Sequence, residues 1–303
     1  MTAAEFRALF RSVSNWGRWG HQAHRGALNY LAPDRVAAAC RLVESGVSVS
    51  MSLPLSTQKR GDNPVPADHR MTMLPSDGSG SVRFAKDYVG GDFHNDGHSH
   101  LDALCHVGFD GSLYDGLPGG SVTSAGAETL TVGVLDGGLV GRAVLLDVPR
   151  QRRTRWIEPG EYLFREDLEA AERHQGVQVG PGDVLLVRTG HARRLDELGP
   201  WDTTVSKAGL HPTAATFLAE RRVAAMGSDG NNDTIPSAIE GVPYPIHVLA
   251  INAMGVHHLL DYLRFEDLAR HCARSARWTF LFVAAPPRIP GGTGSPVNPI
   301  AIF

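Results

Sequence analysis

The sequence predicts one α/β domain spanning residues 1–303. Three observations carry this: the chain is long enough for a sizeable core, short apolar strands alternate with helices to the C-terminus, and no linker interrupts them. A chain of 303 residues with 42% hydrophobic residues can bury that core as a single large domain. No internal repeat or low-complexity tract is visible.

The elements follow in order. "APDRVAAACRLVESG", Ala32 to Gly46, reads as a helix with Asp34 as N-cap and Gly46 as stop. "VSVSMSLPL" alternates with period two and reads as a strand. "KRGDNPVPADHR" and "PSDGSGS" form a long, polar surface connection of the kind that often carries function. "AVLLDVP", Ala143 to Pro149, is a short buried strand. "FREDLEAAERHQG" is a helix running from acidic to basic, in agreement with the helix dipole. "PGDVLLVRTG" is a turn and an apolar strand, "PTAATFLAERR" a helix, and "VAAMGSDG" a strand ending in Gly and Asp. "IHVLAINAM" is ambiguous between helix and strand, "RFEDLARHCARS" is helical, and "WTFLFVAAP" is a final strand.

Composition removes several classes of function. The balance of 29 basic and 32 acidic residues offers no positive field for nucleic acid, and no basic run marks a membrane surface. The start, MTAAEFRALFRSVSNWGRWG, lacks the unbroken apolar stretch of a signal peptide, and no window reads as a membrane span. Cys40, Cys105 and Cys272 are scattered without a CxxC pair, as expected of reduced thiols in a cytoplasmic protein. The expected partner is a small-molecule substrate.

The densest chemistry lies in "DFHNDGHSHLDALCH", Asp92 to His106. His94, Asp96, His98, His100 and Asp102 occupy every even position. On a straight strand they would share a face, but residues four apart would lie about 13 Å apart, too far to share an ion bound at about 2 Å. Two arrangements compete: His98, His100 and Asp102 converge from one strand, or a bend at Gly97 brings Asp96 to His100 and Asp102. His106 follows Asp102 by four residues, on the same face if that piece starts a helix, and is placed as a general acid or base. So many imidazoles and carboxylates beside Leu101, Ala103 and Leu104 point to a metal site rather than a solvated surface. His94 is the weakest member and is expected to face the pocket or solvent.

At these residues the sequence resembles the metal-dependent cyclase-family hydrolases, which include kynurenine formamidase, isatin hydrolase and a dienelactone hydrolase. Their pattern is His-x-Gly-Thr-His-x-Asp-x-x-x-His. Ser99-His100-Leu101-Asp102 matches its core and His106 its last histidine, whereas Asp96 stands where the leading histidine falls and His98 where the glycine falls. The resemblance implies one divalent ion, Mn²⁺ or Zn²⁺, on Asp96, His100 and Asp102, with His98 in reserve for Asp96 and His106 as acid/base. Further blocks resemble the family in the same order: "NPVPADHRM", "PGDVLLVRTG", "GSDGNND" and "APPRIPGGTGSPVNPIAI". In "PYPIHVLAINAMGVHHLLDYLRFEDLA" a later histidine falls on His247 and a glutamate near Asp261, with a gap around His257 and His258. Both are expected to line the substrate pocket rather than hold a second ion. The resemblance also implies a swivelling β/β/α fold and a homodimer or homotetramer.

Such a site predicts hydrolysis of a small amide, imide or lactone, with His106 moving the proton. No Gly-x-Ser-x-Gly competes, and Cys105 is expected to be buried. Two alternatives keep the site: a cyclase or isomerase acting on a polyketide-like substrate through an enolate, and a non-catalytic metal-dependent binder of small acids. Arg188 is expected to pair with a core carboxylate, Asp229 and Asn232 to be turn residues, and Trp16, Trp19 and Phe93 mostly to pack.

Overall fold

The computed structural model describes residues 1–77, 80–256 and 259–303. Its main sheet has nine strands among the described residues: β1 (Ser48–Ser50), β2 (His100–Asp102), β3 (Leu139–Asp147), β4 (Val184–Arg188), β5 (Ala225–Ser228), β6 (Leu259–Asp261), β7 (Thr279–Ala284), β8 (Gly294–Pro296) and β9 (Ile300–Ile302). Their spatial order is β1-β9-β7-β3-β4-β5-β6-β2-β8. The four central strands β3, β4, β5 and β6 are parallel, and every other pairing is antiparallel. The sequence explains the split. β4 and β5 are buried at every position, as parallel strands covered on both faces require.

Eight α-helices surround the sheet among the described residues: α1 (Ala3–Val13), α2 (Pro33–Cys40), α3 (Val148–Arg152), α4 (Arg165–Gln175), α5 (His191–Leu198), α6 (Ala215–Arg221), α7 (Pro245–His247) and α8 (Glu266–Ser275). α4 matches its expected span, with Glu166 and Asp167 in the first turn, Arg173 and His174 in the last, and Gly176 left-handed at its end. α2 is shorter than expected and stops at Cys40 rather than Gly46. Its N-cap is Ala32, not Asp34, because Pro33 takes the first helical position, where its missing N–H costs nothing. The ambiguous "IHVLAINAM" is helical. α7 continues into a wide π-type turn, Val248–Ala253, which is buried throughout. Among the described residues no helix is long and apolar enough to cross a membrane.

The parallel strands end together, and this gathers the polar residues. β4 ends at Arg188, β5 at Ser228 and β6 at Asp261. The segments that follow therefore meet at one edge, the usual place for a site in such sheets. Arg188 pairs with Asp147 at 2.8 Å and Glu266 at 2.9 Å, which makes it a core ion pair. Asp229, buried after β5, accepts from the Thr189 amide and hydroxyl and from the Gly190 and His191 amides, closing the start of α5.

Burial pushes the Asp229 carboxyl up to about 6 against these donors. Asp229→Ala orphans four donors and should lower stability by about 3 kcal/mol or more, read by chemical denaturation. A raised carboxyl value contributes most to stability below about pH 4 and loses that contribution as pH rises through about 6. The gap between wild type and variant should therefore narrow from pH 4 to pH 7. A gap that widens over this range would overturn the assignment.

Candidate metal centre

Strand register builds the centre. His100 and Asp102 lie two apart on β2 and so point to one face. β6 runs antiparallel to β2 and sets Asp261 directly opposite His100. His100 Nε2 then lies 3.7 Å from Asp102 Oδ1 and 3.9 Å from Asp261 Oδ2. His247 arrives from α7, with Nε2 3.3 Å from Asp261 Oδ2 and 3.6 Å from Asp102 Oδ2.

Neighbours fix the orientation of each group. His100 Nδ1 donates to the His98 carbonyl at 2.8 Å, and His247 Nδ1 donates to Asp233 at 2.6 Å. Asp233 also accepts from the Ile246 and His247 amides at the start of α7. Both imidazoles thereby turn their Nε2 edges toward Asp102 and Asp261, the orientation that metal-ligating histidines use. Asn232 donates to Asp261 Oδ1 at 2.7 Å, so Oδ2 faces the centre. Desolvation disfavours a charged His247, but Asp261 and Asp233 outweigh it and hold its pKa well above the ordinary value.

Asp102 is the anomaly. It is 1% exposed, and among the described residues neither oxygen receives a well-aligned hydrogen bond, His94 Nδ1 at 2.9 Å being the nearest ring nitrogen. Burial alone would raise its pKa, yet His106, His94, His100 and His247 around it hold it well below the carboxylate range. A buried anion without well-aligned donors calls for a cation. Two groups of ligand atoms share it: His100, Asp102 and Asp261, and His94, Asp102 and His106, each with atoms within 4.8 Å of one another. Imidazole nitrogens and carboxylate oxygens converging on one buried carboxylate fit a divalent metal ion.

The second group lies nearer the opening. His94 Nδ1 is 2.9 Å from Asp102 Oδ1, and His94 Nε2 pairs with the Thr293 hydroxyl at 3.1 Å. Its ring stacks on His106, with centroids 4.0 Å apart and planes 6° from parallel. Gly294 on β8 leaves room for that ring, since a Cβ there would stand 2.7 Å from His94 Cε1. His106 Nε2 is 3.9 Å from Asp102 Oδ2. Desolvation lowers the His106 pKa to about 4 despite Asp102, so its imidazole is neutral at pH 7. A cavity of about 510 Å³ opens over these groups, walled by Phe109, Asn231, Val242, Tyr244, Val248 and Tyr262.

The structure brings together His100, Asp102, His106, His247 and Asp261 from the sequence reading. Asp96 and His98 lie outside both ligand groups. The chain does turn at Asp96–Gly97, and β2 covers only His100–Asp102, so no straight strand runs through the cluster. The turn delivers Asp96 to Lys207, 3.0 Å away, while His98 is buried and does not line the cavity. Gly97 is needed less for a bend than for a close approach: a Cβ there would collide with the Asn63 side chain. His106 reaches Asp102 through a turn after β2, not through a helix. His257 and His258 lie outside the described residues. Trp16, Trp19 and Phe93 do not line the cavity, and Phe93 instead packs on the His94 ring.

Sequence reasoning missed Lys207 and the positioning role of Asp233. "GSDGNND" singled out the right loop, whereas nothing in "VSKAGLHP" marks Lys207. Asp233→Asn should weaken Zn²⁺ binding by about 10–100-fold, and Asp102→Asn should abolish it, both read by isothermal titration calorimetry. Unchanged affinity in Asp102→Asn would remove the centre.

Comparison with known proteins agrees with this architecture. The family model described as "Putative cyclase" matches residues 49–232, more than half of the chain. A crystal structure of a novel cyclase is 31% identical with a TM-score of 0.86, covering 96% of this chain and 99% of the other. Isatin hydrolase A from Ralstonia solanacearum shares the fold at 21% identity and a TM-score of 0.61, over 89% of this chain and 97% of that enzyme. A metal-dependent hydrolase from Bacillus stearothermophilus, so described from prediction, shares the fold at 17% identity and a TM-score of 0.54, over 85% and 98%. No curated protein matches the chain. With its mixed α/β sheet, its His/Asp centre and this match, the chain belongs to the cyclase family.

Proposed function

We propose that this protein hydrolyses a C–N or C–O bond of a small amide, imide or lactone, with a divalent ion held by His100, Asp102 and Asp261. The observation that carries this reading is the buried Asp102 carboxylate, with no well-aligned hydrogen bond to either oxygen and with the Nε2 edges of His100 and His247 turned toward it. All three members of this ligand group are buried, and mixed O and N donors suit Mn²⁺ or Zn²⁺. When bound, the ion supplies Lewis acidity that lowers the pKa of water toward neutrality and polarises a carbonyl oxygen.

The chain's own residues do the rest. His106 is a neutral imidazole at pH 7, at the cavity wall and on the open side of Asp102. It takes a proton from the attacking water as the new C–O bond forms, then returns it to the departing nitrogen or oxygen as the old bond breaks. Stacking on His94 holds its ring plane during both transfers. His247, braced by Asp233, orients the Asp261 side of the site. The cavity volume suits a substrate of one or two rings.

The test is incubation of purified protein with cyclic imides, lactones and N-formyl anilides, with and without Mn²⁺ or Zn²⁺. Metal-dependent ring opening or deformylation supports the reading. Isomerisation without water uptake supports a cyclase, and saturable binding without turnover supports a binding protein. His106→Ala should lower turnover by about 10²–10⁴-fold while metal content stays at the wild-type level. Loss of metal in that variant would make His106 a ligand.

A further inference from the structure

Lys207 is a buried lysine, 1% exposed, that the mechanism above leaves unused. Its ammonium bonds both oxygens of Asp96, at 3.2 and 3.0 Å, and the Tyr262 hydroxyl at 2.8 Å. Its backbone is locked by paired hydrogen bonds with Ile235 in both directions. Tyr262 follows Asp261 directly and sits in the left-handed region, with φ of 52°, a strained state for an aromatic residue. The strain is held in place from several sides. The Tyr262 carbonyl accepts from the Ser99 hydroxyl at 2.5 Å, and its amide donates to Gly230.

Asp96 thus stands between two charges with different claims on it. It lines the cavity over the metal centre, and it also lines a second cavity of about 470 Å³ with His191, Leu195 and Arg264. Among the described residues no other carboxylate lies within ion-pair range of Lys207. Were Asp96 to swing to the ion, a buried ammonium would be left without a counter-charge, a change that costs several kcal/mol.

We propose that Lys207 is a positioning residue that withholds Asp96 from the metal ion and builds it into the wall between the two cavities. With Asp96 held away, His100, Asp102 and Asp261 would hold an ion with room left for water and substrate, as catalytic centres require. This inference rests on the metal-site reading above.

Zn²⁺ and Mn²⁺ affinities, measured by isothermal titration calorimetry on wild type, Asp96→Asn, Lys207→Met and the double variant, decide it. Asp96→Asn should bind each ion within about threefold of wild type, less than the 10–100-fold loss expected even for a supporting residue. Lys207→Met should bind about tenfold tighter, because the freed Asp96 adds a ligand, and the double variant should return to the wild-type value. Lys207→Arg should retain wild-type affinity, since it keeps the charge that holds Asp96. A loss of tenfold or more in Asp96→Asn, with the wild type binding normally, makes Asp96 a ligand and overturns the inference while the hydrolase reading stands. If either single variant fails to fold, the double variant, which leaves neither charge unpaired, decides: affinity within about threefold of wild type supports the inference and a loss of tenfold or more overturns it. Absence of metal uptake by the wild type overturns both.

Discussion

A single buried carboxylate organises this site. Asp102 is removed from water with no well-aligned hydrogen bond to either oxygen, and an isolated charge in that position would be far too costly to keep. The surrounding groups are understandable as the answer to that cost. His94, His100, His106 and His247 each bring a ring nitrogen to within 4 Å of it. Asp261 adds a second negative charge to the same space, which deepens the need for a cation rather than relieving it.

The geometry depends on the sheet. Asp261 meets His100 because β6 and β2 are antiparallel with those two residues in register, so a one-residue slip would send Asp261 to the opposite face. The supporting shell comes from the ends of parallel strands. Asp229 secures the loop after β4, and Asn232 and Asp233, a few residues beyond β5, hold Asp261 and His247. One loop therefore serves both stability and orientation. His94 and His106 are less buried than His100, Asp102 and Asp261 and stack on each other at the cavity wall.

The second ion pair, Lys207 with Asp96, gives the region two neighbouring electrostatic units instead of one. They differ in how their charges are met: Asp96 is paired with an ammonium within the protein, whereas Asp102 and Asp261 gather imidazoles around a space that calls for a cation. Keeping them apart lets one short stretch of backbone, Asp96 to Asp102, serve a wall and a centre at once. The strained Tyr262 joins them, since its hydroxyl belongs to the Lys207 unit and its backbone directly follows Asp261.

Much of this was legible in the residues alone. Alternating apolar strands and capped helices define the α/β class, because hydrophobic period and cap chemistry are local properties. The His/Asp cluster marked the centre, and His100, Asp102 and His106 lie there because β2 and the turn after it are contiguous in sequence. The N-cap of α2 was misjudged because Pro33, rather than the side chain of Asp34, sets its start. The destination of Asp96 was not legible at all. It depends on Lys207, 111 residues away, whose burial is a consequence of packing and leaves no local trace. Composition, period and spacing decide what chemistry a segment can offer. Only the pairing of distant strands and the matching of buried charges decide which atoms meet, because Coulomb and desolvation energies are set by distances in space and not along the chain.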